Sequence, residues 1–324
     1  MGKKDLWQSD YFDDKKRFAD MINGTFFKGK QVIKEEELEE TDSNLVYHDN
    51  NGEAVNVIRD KVYKWKGQNV AICVLENQSY VDYRMVFRVM LEEAVSYMKQ
   101  QKGAYQKWKE AGYKFDQNEF LSKMRKEEKY TPVITLVLYL GKEKWDGVKS
   151  LYEMLDIDEE LKPFVTNHKI NLFDYHEHEE FSRFKTENRY LFELLTYSGN
   201  EKETERIIKK YLNDYSLDEE SIKAIFGMLD IKADINKYKK ETKKGVKYHM
   251  CKAWDDHMER GRQEGYREGC LEGEQATIKK SLKVLIDSLK KFSADLEMVY
   301  NAVVENELYK DITKEQVEKY YYAK

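Results

Sequence analysis

The sequence contains little proline, glycine and cysteine, and it has no long apolar run. Two prolines and 16 glycines in 324 residues are few, whereas lysine, glutamate, leucine and tyrosine are abundant. This composition favours helices over a loop-rich all-β fold. The three cysteines, Cys73, Cys251 and Cys270, form no Cys-x-x-Cys pair and are odd in number, which is typical of reduced thiols in the cytosol.

No stretch of about eighteen apolar residues is present, so we expect no transmembrane helix. The N-terminal residues also lack the apolar core of a secretion signal. Because 41% of the residues are hydrophobic and 36% are charged, the chain can bury a core but is too polar to be core throughout. We therefore expect a soluble, cytoplasmic protein with one compact domain and extended helical parts.

The chain also lacks an excess of basic residues. A formal net charge of −5 counts against a protein that coats DNA without specificity, because such proteins neutralise many phosphates. The same charge is compatible with a nuclease, which can cut a phosphodiester with a local groove and a metal ion.

A predicted β-hairpin forms the centre of the candidate site. Residues 60–66 and 70–76 are apolar-rich runs joined by a Gly-Gln-Asn segment, a composition typical of a short loop between antiparallel strands. If the turn is centred on Gln68, each residue of the first run faces the residue of the second run for which the two residue numbers sum to 136. Asp60 then lies opposite Glu76, and their carboxylates are close enough to share one divalent cation.

The second strand of this hairpin ends in polar residues. The strand period of two puts Gln78 on the same face as Glu76. Two carboxylates and one amide oxygen are hard ligands, which suit Mg²⁺ and also accept Mn²⁺. The preceding residues 70–75 are apolar on both faces, which predicts a central strand with Cys73 as a small core residue. An acid at the end of such a strand is costly unless it is paired or metal-bound.

Asp60, followed sixteen residues later by Glu76-x-Gln78 on a hairpin, resembles the PD-(D/E)xK nuclease superfamily with glutamine in place of the usual lysine. Three further segments extend the resemblance in the same order: "RFADMINGTFF", "ENQSYVDYRMVFRVM" and "ITLVLYLGKEKWDG". Together they resemble the recombination-promoting nuclease and putative transposase group of that superfamily, the Rpn-like group, over residues 10–175.

The resemblance implies an α/β (α+β) fold with a restriction-endonuclease-like core in the order αβββαβ. The matching elements are a helix at 14–24 that stops at Gly24, a meander that ends in the hairpin, a helix at 82–101 and a buried strand at 131–141. Nothing in the chain resembles the acidic triad of transposases with an RNase H fold, so we expect no strand transfer.

The resemblance also implies the activity of a metal-dependent DNA endonuclease, with DNA as its partner. Asp60 and Glu76 would hold Mg²⁺, which polarises the scissile phosphate and activates water, and Gln78 would orient that water. Glutamine cannot supply the positive charge of a lysine, so Arg88 or Lys64 would compensate. The alternative is a degenerate nuclease-fold protein that acts in DNA binding or assembly, and the retained acids argue against it.

Two residues outside the hairpin are accessory candidates. Asp20 on the first helix is either a further acid of the site or a solvated helix carboxylate. Arg88 lies one helical turn after Arg84, and it either belongs to the surroundings of the site or pairs with Glu92.

Several other segments have weaker signals. We interpret the acidic residues 31–43 as a solvated connection. Strands predicted at 44–49 and 54–60 flank an Asn-Asn-Gly turn, so the sheet begins before the hairpin. His176 and His178 either share a structural zinc ion or belong to an ordinary segment that closes the core.

The sequence predicts three parts. They are a nuclease-like domain at 1–175, a helical subdomain at 176–243 and a charged helical region at 244–324. In the last part, glycine recurs every four residues at Gly261, Gly265, Gly269 and Gly273, which we call the glycine stripe. Glycine weakens a helix, so the repeat indicates either close approach of two helices, hence a homodimer, or a flexible charged tail.

Overall fold

The computed structural model describes residues 10–48, 54–66, 70–178, 180–212, 217–243, 245–292 and 295–323. Its contacts divide the chain into two compact units, Met1–Trp254 and Asp255–Lys324. The three-part division expected from the sequence stays a prediction.

The first unit combines helices with short strands. Its helices are α1 (Lys15–Phe26), α2 (Met85–Glu110), α3 (Gln117–Ser122), α4 (Asn188–Thr196), α5 (Glu201–Tyr211), α6 (Glu219–Met228) and the start of α7 (Met250–Leu289). Its strands are β1 (Leu38–Glu40), β2 (Asn44–His48), β3 (Ala54–Ile58), β4 (Lys61–Lys66), β5 (Val70–Gln78), β6 (Val133–Tyr139), β7 (Asn171–Asp174), β8 (Lys239–Thr242) and β9 (Gly245–Tyr248).

Five strands form one mixed sheet in the order β1-β4-β5-β6-β7. The first two pairings, β1 with β4 and β4 with β5, are antiparallel, and the last two are parallel. Parallel strands need a crossover connection, and α2 supplies it between β5 and β6. The predicted central position of β5 is therefore confirmed.

The hairpin register agrees with the prediction. Lys61 pairs with Leu75 and Lys66 pairs with Val70, so the facing numbers sum to 136 in every pair of the ladder. The connecting residues 67–69 lie outside the described residues.

Helix α1 starts where its sequence provides a cap. The Asp14 carboxylate accepts hydrogen bonds from the backbone N–H groups of Lys16 and Arg17, at 2.8 and 3.2 Å. The predicted stop at Gly24 is wrong, because the helix continues to Phe26. The glycine serves packing instead: a Cβ atom there would lie 2.2 Å from Cε1 of the Phe184 ring.

Helix α2 covers one face of the sheet and is longer than predicted. Its apolar residues join β6 and the following loop in one core cluster, consisting of Met85, Val86, Val89, Val137, Tyr139, Trp145 and Ile170. Trp145 packs edge-on against Tyr139, with ring centroids 5.2 Å apart. This cluster fixes α2 beside the carboxyl end of β5, where the candidate site lies.

Two expectations about the edge of the sheet need correction. The segment 31–43 is not only a solvated connection, because Leu38 is buried and begins β1, which pairs with β4. A hydrogen bond from Trp65 Nε1 to Glu37 Oε2, 2.8 Å long, also holds this edge. Among the described residues, strands β2 and β3 pair with each other and with no other strand. The five-stranded sheet therefore begins before the hairpin with β1, not with β2 and β3. Their predicted turn at 50–52 lies outside the described residues.

The segment 176–243, where the sequence predicts helices, contains α4, α5 and α6. The antiparallel pair β8 and β9 was not predicted, and β9 lies where the sequence indicates a charged helix.

The second unit contains the rest of α7, together with α8 (Leu296–Val304) and α9 (Lys314–Tyr322). Its core consists of Leu282, Ile286, Val299, Val303, Tyr309 and Val317. The glycine stripe lies within α7, so these residues form a helix, as one of the two alternatives predicts. Among the described residues, no helix combines the length and apolar character needed to cross a lipid bilayer.

Candidate active site

The confirmed hairpin register determines where the predicted acids lie along the backbone. Asp60 is half-buried at a bend directly before β4. Since Lys61 pairs with Leu75, the same register continued by one position brings Asp60 opposite Glu76. On its other side, the backbone of Glu76 pairs with Val137 of β6. The side chain of Glu76 lies outside the described part of the structure.

Gln78 is the last residue of β5 and is buried, with 4% of its surface exposed. Its backbone carbonyl accepts a hydrogen bond from the Leu140 N–H at 2.8 Å, and it is in register with Tyr139. Gln78 follows Glu76 by two residues in the same strand, and the shared face of their side chains stays a prediction.

The segment before Asp60 is bound to helix α2. Arg59 is buried, and its guanidinium donates to Ser96 Oγ at 3.2 Å and to the Asp42 carbonyl at 2.9 Å. Ser96 in turn donates to the backbone carbonyl of Glu92 at 2.7 Å, one helical turn earlier. These contacts bring Asp60 towards the face of α2 that carries Glu92.

Glu92 is an acid of this neighbourhood that sequence reasoning treated only as a partner for Arg88. Its side chain is 1% exposed, and Oε1 accepts a hydrogen bond from Arg88 Nε at 3.0 Å. Oε2 is also buried and has no hydrogen-bond partner within the described ranges. Burial raises the pKa of Glu92 to about 7, the Arg88 and Arg59 cations oppose that rise, and the negative charge of Asp60 adds to it.

A signal for Glu92 was present in the sequence. Glu92 follows Val89 by three residues and Met85 by seven, which puts it on the apolar face of α2. An acid at such a position is buried by the helix period, and a buried acid needs a partner.

Arg88 and Lys64, the two residues expected to replace the charge of the missing lysine, lie at different distances from the candidate site. Arg88 is about one-third exposed and pairs with Glu92, which confirms that pairing. Lys64 is in register with Ile72, four residues along β4 from Asp60. Four strand residues span roughly 13 Å, which is too far for Lys64 to supply charge at the site.

Asp20 is buried, so the alternative of a solvated carboxylate is wrong. One oxygen accepts from the Lys185 N–H at 2.7 Å. The other accepts from the Thr186 N–H at 3.0 Å, the Thr186 hydroxyl at 2.6 Å and the Asn188 amide at 3.2 Å. Asp20 therefore anchors the segment that leads into α4, and its accessory role at the site stays a prediction.

The histidine pair has a structural role. His176 Nδ1 lies 2.6 Å from Asp174 Oδ1, and its Nε2 lies 3.0 Å from the Lys142 carbonyl oxygen. His178 stacks on Phe173 with ring centroids 5.0 Å apart, and burial lowers its pKa. No group of three or more histidine, cysteine or acidic residues in the described part of the chain is placed to hold a metal ion. The side chain of Glu76 is not in the described part, so the Asp60–Glu76 metal site stays a prediction.

These observations define a mixed α/β protein whose central strand ends in the predicted acidic site. Residues 59–223 match the family described as "Putative transposase, YhgA-like". The match spans just over half of the chain, so the protein belongs to this family, and the resemblance to the Rpn-like group is confirmed. The matched segment begins at the residue before Asp60 and includes Glu76 and Gln78. No curated protein and no solved structure matches the chain.

Proposed function

We propose that the protein is a metal-dependent DNA endonuclease associated with mobile elements or with DNA recombination. The observation that supports this most is the hairpin register, which brings the backbone positions of Asp60 and Glu76 together at the end of the central strand. Membership of a family described as transposase-like is consistent with DNA as the substrate.

The proposal includes a restriction-endonuclease-like core. We assign its αβββαβ order to α1, the strands β1, β4 and β5, helix α2 and strand β6. In this assignment the two antiparallel pairings precede the crossover helix, and the first parallel pairing follows it. The site then lies at the carboxyl end of β5, beside α2.

The donor set fits a hard divalent cation. Asp60 and Glu76 supply carboxylate oxygens, and the buried Oε2 of Glu92 lacks a hydrogen-bond partner among the described residues. A bound Mg²⁺ or Mn²⁺ would polarise the scissile phosphate and lower the pKa of a water molecule.

The other residues of the site act through hydrogen bonds and charge. Gln78 would orient the attacking water through its side-chain amide, which can both donate and accept hydrogen bonds. Arg88 would hold Glu92 in place and supply positive charge beside the phosphate. Arg59 would fix the backbone before Asp60 through its bond to Ser96.

A second candidate function keeps the fold without the cleavage. Because glutamine replaces the usual lysine at position 78, the site lacks the cation that would stabilise the charged transition state there. On that basis the alternative is a protein that acts in DNA binding or assembly.

Nicking of supercoiled plasmid separates the two functions. We expect nicked product with Mg²⁺ or Mn²⁺, none with EDTA, and none from Asp60→Ala or Glu76→Ala, because each substitution removes a ligand. The control is Asp158→Ala, which changes an exposed aspartate of the same unit, and this variant should cut DNA normally.

The Asp60→Ala and Glu76→Ala variants should melt at the same temperature as the unaltered protein or above it, since each relieves repulsion between like charges. Metal-independent nicking, or normal nicking by Asp60→Ala, would show that the assigned site is wrong.

A further inference from the structure

The carboxylate of Glu92 is only partly satisfied by the described fold. Its side chain is 1% exposed, and one oxygen accepts the 3.0 Å bond from Arg88 Nε. The other oxygen, Oε2, is enclosed and has no hydrogen-bond partner within the ranges that the structure describes. A buried carboxylate oxygen without a donor is unfavourable, because it has lost its hydration without replacement.

The surroundings of this oxygen indicate what would satisfy it. Arg59, the residue before Asp60, donates to Ser96 one helical turn after Glu92, which brings Asp60 towards the face of α2 that carries Glu92. The negative charges of Asp60 and Glu92 repel. The Arg84 guanidinium, directly before α2, is bound to Asp82 at 3.1 and 3.2 Å, and its side chain is largely exposed. Two carboxylates on neighbouring elements, one of them buried with an oxygen that has no donor among the described residues, are complemented by a divalent cation, which supplies charge to both.

We propose that Glu92 is a third carboxylate ligand of the metal site, binding a divalent cation through Oε2 together with Asp60. This inference rests on the proposed role of Asp60 as a ligand. It adds a ligand from helix α2 to a site otherwise built from the hairpin, so the helix and the sheet would be joined through the cation. The hydrogen bond from Arg88 to Oε1 leaves Oε2 available and fixes the rotation of the carboxylate.

Binding of Mn²⁺ alone to the metal-free full chain tests this, with free Mn²⁺ followed by its electron paramagnetic resonance signal. Glu92→Gln keeps the shape of the side chain and should weaken Mn²⁺ binding by at least about tenfold. The control is Glu93→Gln, which changes a neighbouring carboxylate on the same helix that lies 3.7 Å from His168 Nε2. The Mn²⁺ affinity of this variant should be unchanged.

Thermal unfolding gives a second readout that separates a ligand from a structural acid. In EDTA, Glu92→Gln should melt at the same temperature as the unaltered protein or higher, because it removes a poorly satisfied buried anion. Mn²⁺ should raise the melting temperature of the unaltered protein but not that of the variant. If Glu92 only holds Arg88, the variant should instead melt lower in EDTA and keep its response to Mn²⁺. Should Glu92→Gln fail to fold, Glu92→Leu allows the same comparison, because it puts an apolar group on the apolar face of α2.

The outcomes distinguish this inference from the proposed function. If Glu92→Gln loses Mn²⁺ binding while the unaltered protein cuts no DNA, the third ligand stands and the nuclease proposal fails. If the unaltered protein cuts DNA and Glu92→Gln binds Mn²⁺ normally, the inference is overturned and the nuclease proposal stands. Absence of Mn²⁺ binding to the unaltered protein also overturns the inference.

Discussion

Gln78 is the residue at which the candidate site departs from the pattern that its hairpin resembles. A lysine at this position would put an ammonium group at the end of β5, in a place where only 4% of the residue surface is exposed. Burial alone would disfavour the charged lysine, but nearby carboxylates would offset that cost.

We predict that Gln78→Lys retains metal-dependent nicking and can increase it, because the ammonium would supply charge beside the phosphate. Plasmid nicking at matched Mn²⁺ occupancy is the measurement. A variant that binds Mn²⁺ normally and cuts no DNA would show that the amide itself is required, and that its role in orienting water is more exacting than proposed.

Asp20 illustrates how a buried acid can serve the fold. Asp20→Ala removes the carboxylate that accepts four hydrogen bonds. The donor groups of Lys185, Thr186 and Asn188 then lose their acceptor. We expect the free energy of unfolding to fall by about 2–4 kcal/mol in urea titrations, since these bonds end on a charged group. The exposed-site variant Asp158→Ala should stay close to the unaltered protein. If Asp20→Ala keeps its stability and loses nicking, the accessory role predicted from the sequence is the correct one.

At the scale of elements, glycine has opposite effects in two helices. A Cβ atom at Gly24 of α1 would lie 2.2 Å from the Phe184 ring, whereas a Cβ atom at Gly103 of α2 would meet no heavy atom within 4 Å. Alanine is the better helix former at both positions, so only the packing differs.

We therefore predict that Gly24→Ala lowers the free energy of unfolding by about 1–3 kcal/mol, because the ring of Phe184 must move. Gly103→Ala should raise it by about 1 kcal/mol. Urea unfolding of both variants measures the difference. A stabilised Gly24→Ala variant would mean that the ring accommodates the methyl group freely, and that α1 and the Phe184 segment pack less closely than described.

The elements that the sequence predicts well are those with local signals. Asp14 caps α1, and only three residues separate the apolar runs of β4 and β5, a spacing that predicts their register. In the five-stranded sheet, the strands it misses are β1 and β7, of three and four residues, whose pairing depends on distant partners. The pattern also reveals β2 and β3 without revealing that they form a separate sheet, because a strand pattern does not identify its neighbour.

The same distinction applies to the candidate site. Asp60, Glu76 and Gln78 are related through one hairpin, so spacing and a period of two are enough to group them. Glu92 comes from another element, and only the docking of α2 brings it near Asp60. Helical periodicity predicts that Glu92 is buried, but it does not predict which residue it faces.

At the scale of the whole molecule, the family match and the unit boundary differ. The match runs from residue 59 to residue 223, so it includes the hairpin, α2, β6, β7 and the start of α6. Helix α1 lies outside it, although Arg17 on α1 donates to Ser221 Oγ at 2.9 Å and also pairs with Glu187 and Asp218. These bonds join α1 to the segments that lead into α4 and α6, all within the compact unit Met1–Trp254.

The glycine stripe belongs to the second unit and is exposed along α7. A Cβ atom at any of its four glycines would meet no heavy atom within 4 Å, so the described fold does not require glycine there. Each glycine weakens the helix by about 1 kcal/mol relative to alanine, which calls for a compensating contact. A four-residue period drifts by about 40° per repeat around a straight helix, so two such helices can approach closely over only part of the stripe.

We predict a homodimer through residues 261–273, in which the glycines allow close approach and neighbouring glutamate and arginine side chains pair across the interface. Two sites per particle would suit cuts in two DNA strands. Sedimentation velocity should show that changing Gly265 and Gly269 to leucine weakens the dimer, because the larger side chains separate the helices. Changing the same two residues to alanine is the control, since alanine is small and favours the helix, and it should preserve the dimer. If the unaltered protein sediments as a monomer at micromolar concentration, the glycine stripe does not serve self-association.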